Sequence, residues 1–68
     1  MSSFGVAHHL ANAELARRNG EEALKEFIAA LELRDWIGAE SWRLKAVTAL
    51  ESQLDHLASA HRRLDTSS

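Results

Sequence analysis

The sequence predicts an all-α fold: a three-helix antiparallel array, two short helices followed by a long one, that associates with itself through the long third helix. Three observations lead there. Proline is absent, and the three glycines Gly5, Gly20 and Gly38 punctuate the chain. Apolar residues recur at helical spacings of three and four within each segment so marked off, with no strand-like alternation. Sixty-eight residues form one domain with a thin core, and without cysteine neither a disulfide nor a thiolate metal site can reinforce it, which leaves self-association as the natural supplement.

The first helix is expected over about residues 5–19, where Val6, Leu10, Ala13 and Ala16 line one face. Asn19-Gly20 reads as its C-cap, since both residues tolerate the left-handed conformation that ends helices and Arg17 and Arg18 suit the negative end of the dipole. A second helix is expected over about 21–34. It opens on Glu21-Glu22 at the positive end of its dipole and carries a wide apolar face of Ala23, Leu24, Phe27, Ile28, Ala30 and Leu31. Asp35-Trp36-Ile37-Gly38 ends it. The third helix is expected over about 39–64, and the tail 65–68 reads as frayed.

Leu10, Ala13, Ala23, Leu24, Phe27, Ile28, Leu31, Trp42, Leu44 and Val47 form the expected intramolecular core. Further along the third helix Leu50, Leu54, Leu57, His61 and Leu64 alternate at spacings of four and three, a narrow seam suited to one partner helix. At about 1.5 Å per residue this helix would outrun the two before it, so its second half would overhang them and present that seam to a partner. These five residues are the expected partner-binding site.

Composition narrows the function classes. The net charge is −2, and the basic residues are spread out apart from Arg17-Arg18 and Arg62-Arg63, so no nucleic-acid partner is expected, and a small nucleic-acid-binding helical protein stands only as an alternative reading. Residues 1–10 lack the basic start and apolar run of a signal peptide, and no stretch approaches the about 20 apolar residues of a membrane span, so the expected location is cytoplasmic, with leaderless export open. There is no cysteine or tyrosine, no glycine-rich phosphate loop and no serine in a nucleophile setting, so neither an enzyme, a small-molecule substrate nor a cofactor is expected. The adjacent His8 and His9 point about 100° apart on a helix, and His56 and His61 also diverge, so no metal site is expected from either pair. His61 at a seam position would bring charge into an apolar contact near pH 6.

The run from Leu10 to Leu33, LANAELARRNGEEALKEFIAALEL, resembles a tetratricopeptide repeat. Leu10-Ala11 stands at the family's large-then-small pair, Ala23 at its early small residue in the second helix, Phe27 at its aromatic and Ala30-Leu31-Glu32-Leu33 at its helix end. The resemblance implies a repeat over about 4–37 capped by the third helix, and an adaptor or chaperone-like role in binding protein without catalysis.

Trp36-Ile37-Gly38 resembles a second family, through the Trp-x-Gly turn of the small secreted WXG100 helical hairpins. Ala39, Trp42 and the Leu50, Leu54, Leu57 series also suit that family's second helix. His61 and Asp65 hold the spacing of its tyrosine-to-acid export signal, with histidine in the place of tyrosine. This resemblance implies a secreted hairpin or the partner of a secreted toxin. It requires a first helix that runs through Asn19-Gly20, where glycine costs about 1 kcal/mol relative to alanine.

Overall fold

A computed structural model describes residues 4–67, with side chains described for 5–65. Among the described residues the fold is all-helical and consists of two helices, α1 (Phe4–Glu32) and α2 (Trp36–Ser67), joined by a tight turn into an antiparallel hairpin. Its Cα trace measures 52 × 13 × 11 Å, with a radius of gyration of 15.5 Å. A compact chain of this length would have about 11 Å. The protein is a rod two helices wide.

The three-helix expectation fails at Asn19-Gly20, which lies inside α1 and ends nothing. Two local features carry the helix across. Arg17 bridges Glu14 on one side of the expected break, with Nη2 2.5 Å from Oε1, and Glu21 on the other, while Arg18 Nε reaches Glu14 Oε1 at 3.3 Å. Gly20 also lies where the helices touch: a Cβ placed on it would stand 3.5 Å from the Ala49 Cβ. Packing against α2 outweighs the propensity cost of one glycine, the usual result when a weak local preference meets a tertiary contact.

The turn sits at residues 33–35 and is stopped by hydrogen bonding. Arg34 takes φ 61°, its N–H donates to the Leu31 carbonyl at 3.1 Å, and the Asp35 N–H donates to the Ala30 carbonyl at 2.9 Å. This is the Schellman pattern, here with arginine at the left-handed position usually given to glycine. Asp35 then caps α2, its Oδ1 accepting from the Gly38 N–H at 3.0 Å. The second helix therefore begins at Trp36, three residues before the expected start at Ala39, and it continues through Ser67 where a frayed tail from Asp65 was expected. Ser68 lies outside the described residues.

The core is made of alanine. Among the described residues Ala13, Ala16, Ala23 and Ala30 on α1 and Ala39, Ala49 and Ala60 on α2 are the buried hydrophobic ones, and no large side chain is fully buried. Around them His9, Gly20 and Phe27 on α1, with Trp42, Ala46, Gln53 and His56 on α2, are half-buried. Together these residues form two rows, 9-13-16-20-23-27-30 and 39-42-46-49-53-56-60, stepping alternately by three and four. Small residues along both rows let the helices approach closely.

Of the expected core, Ala13 and Ala23 are buried and Phe27 and Trp42 half-buried, whereas Leu10, Leu24, Ile28, Leu31, Leu44 and Val47 are all exposed. Reading by hydrophobicity ranks leucine above alanine. Where the helices come closest, as at Gly20 and Ala49, alanine fits and leucine would not, while the larger Phe27 and Trp42 sit in the rows only half-buried.

Candidate protein-interaction face

Each large apolar side chain that the alanine seam rejects must leave the hairpin on one side or the other. One step beyond the seam row on α1 lie Leu10, Glu14, Arg17, Glu21, Leu24, Ile28 and Leu31; the matching row on α2 holds Arg43, Val47, Leu50, Leu54, Leu57, His61 and Leu64. An open groove of about 350 Å³ shows that the two rows share a side, since Arg17, Glu21 and Leu24 line it together with Arg43, Val47 and Leu50. Phe27, Ala46 and Gln53 form its floor from the seam. Residues seven apart repeat the same direction on a helix of a close pair, so the apolar stripe extends from this groove along both helices toward each end.

The opposite side differs in chemistry. Asn19, Lys45, Thr48 and Ser52 surround an open recess of about 420 Å³ there, with Ala16, Leu44 and Ala49 also lining it, and Lys45 Nζ lies 4.2 Å above the Trp42 ring. Leu44 is exposed beside Lys45, Thr48 and Ser52, and Leu15 is exposed as well. The hairpin is thus amphipathic across its width, with one polar side and one side rich in leucine.

All five expected partner-binding residues lie on the leucine-rich side. Leu50, Leu54, Leu57 and Leu64 are 54%, 56%, 40% and 55% exposed, and His61 is exposed with Nε2 3.5 Å from Asp65 Oδ2. The reason for their exposure is not the expected overhang. α1 has 29 residues against 32 in α2 and runs beside it, so the leucines are bare because they point sideways from the seam. Sequence reasoning missed the other half of the face, Leu10, Leu24, Ile28 and Leu31, by assigning those residues to the core. The signal available was the alanine period itself, 16-23-30 in the first helix, which marks the inward direction and leaves the leucines a position off it.

The middle of the face is charged but internally compensated. Arg17 hydrogen-bonds Glu14 through Nε at 2.8 Å, and Arg43 holds Glu40 through Nε at 2.9 Å and Nη2 at 2.6 Å. The guanidinium of Arg17, and then that of Arg18, holds the Glu14 carboxyl down to about 2, and the Arg43 hydrogen bond lowers Glu40 likewise. Arg17 and Arg43 are correspondingly raised by their carboxylate partners. Both acids stay ionised through the physiological range, so the charges that border the groove come in opposite pairs.

At the hairpin's turn Trp36 and Ile37 do not plug the end of the helix pair: they are 60% and 87% exposed. Gly38 has a local purpose, since a Cβ there would fall on the Asp35 carboxylate that caps α2. Among the described residues no group of three or more potential metal ligands occurs, and no helix is long and apolar enough to cross a membrane. No family model, curated protein or solved structure matches the chain significantly.

Proposed function

We propose that the chain is a non-enzymatic protein-interaction module, adaptor or chaperone-like, that self-associates by laying its leucine-rich face against a second copy. One observation carries this reading: the hairpin buries alanines while leucines from both helices lie exposed along one side. A buried methyl or methylene contributes about 0.8 kcal/mol, so a core of this kind stabilises a 68-residue chain weakly, and the larger apolar groups contribute only once another surface covers them.

The dimensions suit a second copy. A Cα footprint of 52 × 13 Å becomes, with side chains added, close to the about 800 Å² per partner of a standard stable interface. Two such hairpins face to face would make a four-helix bundle, in which the leucine rows form the core between pairs. The two carboxylates Glu14 and Glu21 are balanced by the two guanidiniums Arg17 and Arg18, so the group could border such an interface without an uncompensated ion, which is the costly case. Solution mass by light scattering after size exclusion tests the reading. A mass twice the 7.6 kDa of the chain is expected at micromolar concentration, and a monomer at all concentrations would refute self-association.

A second reading uses the same face in another setting, that of a WXG100-like secreted hairpin or partner of a secreted toxin. It is supported by the position of Trp36-Ile37-Gly38 at the turn and by an α1 that runs through Asn19-Gly20, as that reading requires. A chain that is monomeric alone but forms a stoichiometric complex with a different helical hairpin would favour it.

A further inference from the structure

The seam changes character at the open end of the hairpin, away from the turn. There His9 on α1 and His56 on α2 occupy row positions, and their Nδ1 atoms lie 3.1 Å apart, with ring centroids separated by 5.4 Å. At that distance one nitrogen must carry a hydrogen and the other must be bare. The contact is therefore a hydrogen bond only while at least one ring is neutral. When both rings are protonated, two like-charged donors face each other across the seam.

The surroundings increase that penalty. From α1, His8 meets His9 edge-on at a centroid separation of 5.6 Å. From α2, Arg62 and Arg63 are near enough to act on His9, and the Arg63 guanidinium crosses the seam to lie over Gly5. The charges that act most on His9, those of Arg63, His56, His8 and Arg62, are all positive. Asp55, beside His56 in sequence, is exposed. Asp65 contacts His61, one row outside the pair.

We propose that His9 and His56 form a proton-operated latch, which joins α1 to α2 at the open end when at least one ring is neutral and releases that end when both are charged. The capped turn at residues 33–35 is untouched, so the release is a local parting of the helix ends and not unfolding of the whole hairpin. Leu10, Leu57, His61 and Leu64 of the leucine-rich face lie at the same end. If the self-association reading above holds, acidification weakens the assembly there as well; the latch itself does not depend on that reading.

Burial in the seam, then Arg63, His56, His8 and Arg62, hold the His9 pKa below its ordinary value of 6.5. The unfolded chain consequently binds the proton more readily than the folded one. Stability from this source is complete above about pH 6.5 and is lost as the pH falls from there through the lower folded value.

The experiment is thermal unfolding of the full chain followed by circular dichroism at about pH 7.5 and about pH 5, with the mass recorded at each. The wild-type midpoint is expected to fall by several degrees on acidification, and His9→Gln and His56→Gln to remove most of that fall. His61→Gln, outside the seam, should retain it. If either glutamine variant fails to fold, the double variant His9→Ala with His56→Ala, which continues the alanine row, replaces it. A wild-type midpoint insensitive to pH, or a fall that survives loss of the His9–His56 pair, overturns the latch. A monomeric mass at both pH values with the fall intact would refute the self-association reading and leave the latch standing.

Discussion

Arg34 stands at φ 61°, a conformation that places Cβ against the backbone and costs a non-glycine residue roughly 1–2 kcal/mol. The hydrogen bonds of the turn hold it there, and glycine adopts the same conformation without strain, so Arg34→Gly is expected to stabilise the hairpin by about 1 kcal/mol in chemical denaturation. The neighbouring cap behaves oppositely. Asp35→Ala removes the acceptor for the Gly38 N–H and should cost about 1 kcal/mol. Gly38→Ala should also destabilise, even though alanine is the better helix former, because its methyl would displace the capping carboxylate. The combination Asp35→Ala with Gly38→Ala separates the effects: with the carboxylate gone, the second change should become neutral or favourable. A double-mutant cycle in urea reads that coupling directly. The Trp36-Ile37-Gly38 triplet thus has a structural reason for its glycine in this chain, whatever use its exposed tryptophan has.

At the scale of the element, α1 is decided by competition between propensity and packing. Asn19-Gly20 carries the signature of a helix end, and the two arginines before it suit the negative pole of a dipole. In the hairpin those arginines are engaged sideways with Glu14 and Glu21, and the glycine faces Ala49. Gly20→Ala is the telling substitution. The added methyl would make an ordinary van der Waals contact at 3.5 Å, so the expected outcome is a gain of about 1 kcal/mol from helix propensity. Were the chain to turn at Gly20, the same change would destabilise it by removing a left-handed cap. Denaturant midpoints of wild type and variant distinguish the cases by sign alone.

The whole molecule is an amphipathic rod whose two helices meet through alanine and present leucine to one side. Leu57→Asp tests that division of surfaces. In an assembly through the leucine-rich face a carboxylate at this position would be desolvated at a cost of several kcal/mol, so the variant should run as a monomer and remain largely helical. A variant that becomes an unfolded monomer would instead place Leu57 in the intramolecular core and overturn the division. An unchanged mass would exclude it from the contact.

Helicity, a turn near Asp35 and the common helix face of Leu50, Leu54, Leu57, His61 and Leu64 could all be read along the chain. Each of these follows from spacing or from a cap, and such signals act over a few neighbouring residues. That Gly20 lies within a helix, that alanines make the seam, and that Leu10, Leu24, Ile28 and Leu31 belong outside with the predicted stripe depended on how the two helices pack. A periodicity shows which residues share a face, but not which of two adjacent faces is turned to the neighbouring helix. That choice rests on how near the helices come, and at the close approach seen at Gly20 and Ala49 small side chains fit between them where leucines do not.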